Sequence, residues 1–264
     1  MCKLLNKLFL ILSVFVLGLN TSAAKEVSNP KIISLAPAVT EIIYALDVQD
    51  NLIGVSTACN YPKEAMLKEK VGDAYFLNKE KIIRLNPDYI FVPDNSHGLL
   101  SDFEGIKIKP VIFNFETIDD IYKNIYKIGE MTNSGQKADL LVKDIKGKIA
   151  KSSSKNPPKK IFYMIQTDPI ITVGKKSFIT DVIKKSGNIP AAEDINLFYP
   201  PVSDEYAIKT EPDIVVVCFA ANNARIKQLF PKSKIIFLTQ EQIDMINRPG
   251  PRIYRAVEFF SKLN

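Results

Sequence analysis

One histidine, His97, is the whole imidazole inventory of this 264-residue chain, so no histidine cluster can form for zinc or manganese. A hydrolytic triad would have to run through that same residue. No Gly-x-Ser-x-Gly turn is present to hold up a nucleophile, and no Gly-x-x-x-x-Gly-Lys loop to cradle phosphates. Beside Gly98, His97 reads as a solvated loop residue. These absences point away from an enzyme.

The remaining candidates are suited to holding something. Tyr61, Tyr75, Phe76, Phe198 and Tyr199 offer broad apolar faces, and Ala38 leaves room beside them. Asn60, Asp168, Asp244 and Arg248 add polar handles. Aromatic and small residues with a few polar groups fit a large planar or bulky guest better than an ion. Singly, each aromatic reads equally well as a loop anchor in the core. Glu80 and Glu205 form a separate pair. Asn78 stands two before the first and Pro87 seven after it, and Ser203 and Pro212 hold the same places around the second. Each stretch runs from a capping residue through a helix to a breaker and a strand, Tyr-Ile-Phe-Val and Ile-Val-Val-Val. The match suggests two halves of related build. A glutamate at the second helical position is explained by the macrodipole alone, worth about 0.3–1 kcal/mol. It fits equally well as one carboxylate per lobe docking onto arginines of a partner.

These residues must be positioned by α/β elements. Strand-like runs at Lys31–Leu35, Leu52–Val55, Tyr89–Val92 and Ile106–Phe115 alternate with helices at Val39–Leu46, Lys79–Leu85 and Ile118–Ile128. The pattern resumes with strands at Ile161–Ile165, Ile214–Phe219 and Ile235–Leu238 and helices at Phe178–Lys185 and Ile253–Leu263. Such alternation predicts mainly parallel, helix-covered sheets, which bind ligands outside the carboxyl ends of their strands. The loops so placed are Ala36–Ala38, Thr57–Pro62, Asp73–Phe76 and Pro93–Asn95. Between the two series, Ala138, Leu141, Val142, Ile145 and Ile149 recur at spacings of three and four. They form one apolar stripe, with Lys137, Asp139, Lys143 and Lys148 turned to water. This helix, 134–151, reads as a strut between an N-terminal lobe (25–133) and a C-terminal lobe (152–264). An ordinary helix packed on a sheet would show the same stripe.

Lys3 and Lys7, the apolar run Leu8–Leu19 and Ser22-Ala23-Ala24 have the form of a signal peptide over residues 1–24, cleaved near Ala24. The run is too short to span a bilayer, which takes about 20 residues. Cys2 precedes it and so is not a lipobox cysteine. A periplasmic protein is expected. Without Lys3 and Lys7 the formal charge falls from +6 to +4, spread along helices, so no nucleic-acid partner is expected. Cys59 and Cys218 fall in opposite halves and read as small apolar residues rather than a disulfide framework.

The segments KIISLAPAVTEIIYAL, STACNYPKEA, NKEKIIRLNPDYIFV and NRPGPRIYRAVEFF resemble cobalamin-binding proteins of bacterial ABC importers, in the wider group that also binds haem and iron–siderophores. The resemblance runs from about Lys31 to the C-terminus. It implies two Rossmann-like lobes joined by one long helix with little hinge motion, and a ligand held between them. It also implies that Glu80 and Glu205 dock an inner-membrane permease, and that Asp244, Arg248 and Tyr199 contact the ligand. A monomer is expected, with no cofactor beyond the transported corrinoid and no metal of its own. The chain departs from the best-known members in having no tryptophan. The matching positions are Ala74 and Pro93, so either Tyr75 substitutes or the ligand differs. Where haem-binding relatives place an iron-ligating tyrosine after a Val-Gly pair, Val71-Gly72 is followed by Asp73. Cobalamin is therefore the expected ligand. Haem or a ferric siderophore on the same fold is the alternative, and a chelatase-like enzyme the alternative of another class.

Overall fold

The computed structural model describes residues 29–73, 76–94, 108, 110–154, 156–219 and 223–263. His97, Tyr75, Ala74, Asn95 and the proposed signal peptide lie outside the described residues. Among the described residues the strands are β1 (Ile32–Ser34), β2 (Leu52–Val55), β3 (Tyr89–Pro93), β4 (Pro110–Phe113), β5 (Lys160–Thr167), β6 (Ile170–Thr172), β7 (Ile189–Pro190), β8 (Pro201–Val202), β9 (Ile214–Val217) and β10 (Lys234–Phe237). They form two sheets. The first is wholly parallel, in the order β2-β1-β3-β4. The second runs β10-β9-β5-β6-β8, with β7 also on β5. There β10, β9, β5 and β7 are parallel, while β6 and β8 are antiparallel additions that the alternation of strand and helix did not announce. The α/β class with mainly parallel sheets is thus as the sequence implied.

Local chemistry sets the helix boundaries. Asn78 accepts from the Lys81 amide to start the helix Lys79–Leu85. Thr117 and Asp120 close a reciprocal capping box on Ile118–Met131, satisfying two otherwise orphaned amides. Ser177 and Ser203 cap Phe178–Lys185 and Asp204–Lys209 by accepting the Ile179 and Tyr206 amides. Thr239 with Gln242 boxes the helix Gln240–Asn247, which the sequence reading left unassigned. The first helix begins at Pro37 rather than Val39, and a 3₁₀ turn, Lys63–Leu67, follows Pro62. The predicted strand Ile106–Phe115 is observed as Pro110–Phe113, residues 106, 107 and 109 being outside the described residues.

The long helix spans Gly135–Ser152. It buries Ala138, Val142, Ile145 and Ile149, while Leu141 is half-buried at the edge of the stripe. Lys148, whose side chain stays 44 % exposed, lays its ammonium over the Tyr254 ring at 4.6 Å and pairs with Asp144 at 2.6 Å. The helix packs on Ile118–Met131 before it and on the closing helix Ile253–Ser261 after it. Gly129 makes the first contact possible, because a Cβ there would stand 2.7 Å from that of Ala138. The stripe belongs to the largest apolar cluster, which holds Ile32, Phe91 and Phe113 of the first sheet together with Tyr163 and Val216 of the second. One continuous core therefore runs through the helix into both halves.

The internal repeat extends to backbone detail. Asp88 accepts the Lys31 amide at 2.7 Å, and Asp213 accepts the Lys160 amide at 2.8 Å. Asn86 and Glu211, each two residues earlier, both take left-handed backbone conformations, with φ of 47° and 44°. In both halves the Pro-Asp step thus ties the start of one strand to the start of its parallel neighbour, β1 to β3 and β5 to β9.

Candidate functional site

A cavity of about 650 Å³ opens where the two sheets face each other. Ala36, Pro37 and Ala38 follow β1, Pro93 and Asp94 end β3, and Phe115 follows β4. The second half supplies Phe178, Phe198 and Tyr199, and then Asn247, Arg248 and Pro249 from the end of the helix Gln240–Asn247. The first-half lining thus comes from the carboxyl ends of its parallel strands, where open α/β sheets bind ligands.

The aromatic wall is fixed by its backbone. Gly174 donates to the Phe198 carbonyl at 3.0 Å, Lys176 to that of Leu197 at 3.2 Å, and Thr172 to that of Pro200 at 3.2 Å. A side chain at Gly174 would meet the Leu197 carbonyl at 2.4 Å, so only glycine lets the loop come this close. Tyr199 keeps 48 % of its surface exposed. Burial at its hydroxyl raises its pKa above the usual tyrosine value, the Ser177 hydroxyl opposes the rise, and the Asp94 carboxylate adds to it. Deeper in, the Tyr163 hydroxyl donates to Asn247 Oδ1 at 2.7 Å and so orients the amide at the cavity. Burial raises the pKa of the neighbouring Cys218, which stays a thiol at neutral pH. Cys59 is likewise buried and unpaired, beside the Thr40 and Ser56 hydroxyls at 3.1 and 3.2 Å.

Arg248 is held on three sides. Its Nη1 donates to Asn60 Oδ1 at 2.6 Å and lies 3.6 Å from Glu41 Oε1, and its Nη2 donates to Asp244 at 3.0 Å. Arg252 takes Glu41 in a bidentate grip, at 2.8 and 2.7 Å, and stacks its guanidinium 3.6 Å from the Tyr61 ring centre. Two arginines of the C-terminal segment thus bind three residues of the first half.

Of the candidates chosen from sequence, Ala38, Phe198, Tyr199 and Arg248 line the cavity, while Asn60, Asp244 and Tyr61 stand behind Arg248 and Arg252. Phe76 does not line it. It is 79 % exposed, its amide bound to the Asp73 carboxylate. Asp168 does not line it either; its carbonyl accepts from Gln166 in the turn between β5 and β6. Sequence reasoning passed over Asp94, Phe115, Phe178, Asn247, Glu41 and Arg252 as individual residues. The one available signal was Glu41 itself, a lone carboxylate inside the apolar helix PAVTEIIYA.

Glu80 and Glu205 are exposed, each at the second position of its capped helix. Among the described residues neither carboxylate forms an ion pair. No group of three metal-ligating side chains occurs among those residues, and no helix there is long and apolar enough to cross a membrane.

Two α/β sheets with an aromatic, arginine-bearing cleft between them form the kind of site that can hold a small molecule. The chain belongs to the family described as periplasmic binding protein, whose profile matches residues 32–233, and that family is made up of substrate-binding transport proteins. It is 32 % identical over 246 residues to an ABC transporter substrate-binding lipoprotein of Bacillus subtilis, covering 86 % of this chain and 77 % of that one. It is 30 % identical over 264 residues to the vitamin B12-binding protein of Vibrio parahaemolyticus, covering 96 % and 95 %. The crystal structure of the periplasmic vitamin B12 binding protein of Vibrio cholerae superposes with a TM-score of 0.71 at 26 % identity, over 89 % of this chain and 96 % of that one. The resemblance to substrate-binding proteins of ABC importers, drawn from four segments, therefore holds along the chain.

Proposed function

We propose that the chain captures a corrinoid, cobalamin in the first instance, outside the cytoplasmic membrane and delivers it to the permease of an ABC importer. The observation that carries this reading is the cavity between the sheets, with Phe198, Tyr199 and Phe115 as apolar walls and Arg248 as an oriented donor. A ring-shaped ligand with polar edges finds both there, and affinity comes from burying its faces rather than from covalent chemistry. The similarity to vitamin B12-binding proteins supports it. Residues 25–133 and 152–264 act as two lobes, with the helix 134–151 as a strut. The continuous core through that helix favours a cleft of fixed width over a hinge.

Glu80 and Glu205, one per half and equivalent in the internal repeat, are the groups that meet the permease. Their exposure at matching helix starts supports that role. The purified chain should bind cyanocobalamin with a calorimetric signal and a shifted corrin absorbance. Hemin and a ferric siderophore, tried in turn, should give neither. Binding of hemin or the siderophore with no response to cyanocobalamin would overturn the corrinoid assignment.

A further inference from the structure

We propose that Asp94 is a selectivity residue of the cavity, which makes it accept macrocycles edged with amides and reject those edged with carboxylates. This rests on the corrinoid reading above and adds the chemical feature that is sensed. Two observations carry it. The Asp94 side chain lines the cavity and its carboxylate has no hydrogen-bond or ion-pair partner among the described residues, while its backbone amide is fixed to the Phe113 carbonyl at 3.0 Å. The cation that also lines the cavity, Arg248, is already matched by Asp244 at 3.0 Å and Glu41 at 3.6 Å, and the latter is shared with Arg252.

Counted together, Arg248 and Arg252 bring two positive charges, and Asp94, Asp244 and Glu41 three negative ones, a balance of minus one. Among the described residues, exposed Arg255 lies beside Tyr61 outside the lining, and Lys176 is a further cation near the wall. Its ammonium stands 5.8 Å from the Phe198 ring centre on an exposed residue outside the lining, where water and salt screen it. An incoming carboxylate therefore meets an uncompensated like charge, whereas an amide N–H gains a charge-assisted acceptor. A corrin carries amides around its rim and a haem carries propionates, so the sign at this position separates the two classes.

The test compares two corrinoids whose chief difference is that feature. These are dicyanocobinamide, with amide side chains, and dicyanocobyrinic acid, with carboxylates at the same positions. Calorimetry at low salt with the wild-type chain should show the amide form binding at least about tenfold tighter, ~1.4 kcal/mol. Asp94→Asn should shrink that ratio severalfold, and Asp94→Lys should abolish or invert it, with melting temperatures unchanged. An unchanged ratio in both variants would overturn the role of Asp94 and leave corrinoid capture standing. Failure of the wild-type chain to bind either compound would overturn both.

Discussion

Arg252 holds Glu41 through two hydrogen bonds, at 2.7 and 2.8 Å, across 211 positions of sequence. Glu41 is 4 % exposed and sits in the first helix of the first half, while Arg252 follows the last loop of the chain. The pair, with Arg248 beside it and Tyr61 stacked on Arg252, fastens the C-terminal segment to the wall of the cavity. A carboxylate this deeply buried is tolerated because both oxygens have charged partners.

Removing one member should therefore cost more than a surface ion pair would. Glu41→Ala should lower unfolding stability by about 3 kcal/mol, since it leaves the Arg252 guanidinium, its side chain only 16 % exposed, without its carboxylate partner and takes one of two from Arg248. Urea denaturation compared with Glu41→Gln checks this, with a smaller loss expected for the isosteric amide. A loss below about 1 kcal/mol for Glu41→Ala would show the pair to be ornamental to the fold.

Glu80→Arg combined with Glu205→Arg should leave ligand affinity unchanged and abolish association with the transporter. Both side chains are exposed and neither lines the cavity. Calorimetry with cyanocobalamin and pull-down on reconstituted permease read the two halves of this expectation. Unimpaired uptake by the double variant would refute the docking role.

Gly147 lies on the exposed face of the long helix, and a Cβ built there meets no atom within 4 Å. Gly147→Ala should raise stability by about 1 kcal/mol, because it removes the backbone entropy cost without a clash. The denaturation midpoint should rise with an unchanged slope. A fall would mean that the helix tolerates this glycine for a packing reason.

Asp120 links stability to acid. Partial burial pushes its pKa up, but Lys123 at 2.8 Å and the Thr117 hydroxyl and amide more than offset that, and the folded-state value lies below the ordinary carboxylate one. A depressed folded pKa gives stability that is present above the unfolded value near 4 and is lost as pH falls through the folded one. Asp120→Asn should cost about 1 kcal/mol at pH 7 through the weakened capping box, and the deficit against wild type should shrink below pH 4. Thermal melts across pH 2–7 measure this, and a deficit independent of pH would rule out the carboxylate as its source.

Much of the architecture was legible in the chain alone, for a local reason. Hydrophobic period, capping residues and Pro-Asp breakers act over a few residues, so Asn78, Thr117 and Ser203 mark helix starts wherever the rest of the chain goes. The likeness of the two halves was visible for the same reason, and Arg248 lies in a segment resembling a known family, a resemblance that also implied a ligand contact for Tyr199. The antiparallel strands β6 and β8 were not legible, since three- and two-residue strands carry no periodicity of their own.

What the sequence determined by itself was the main strands and helices and their α/β order. The tertiary structure alone decided which side chains meet across the cleft. It set Arg252 rather than solvent against Glu41, kept Asp168 and Phe76 off the cavity wall, and put Asp94 on that wall together with an Arg248 already paired with Asp244. Secondary structure is dictated by neighbours in the chain, but the charge a ligand meets is summed over residues as far as 211 positions apart, and only the folded packing brings them together.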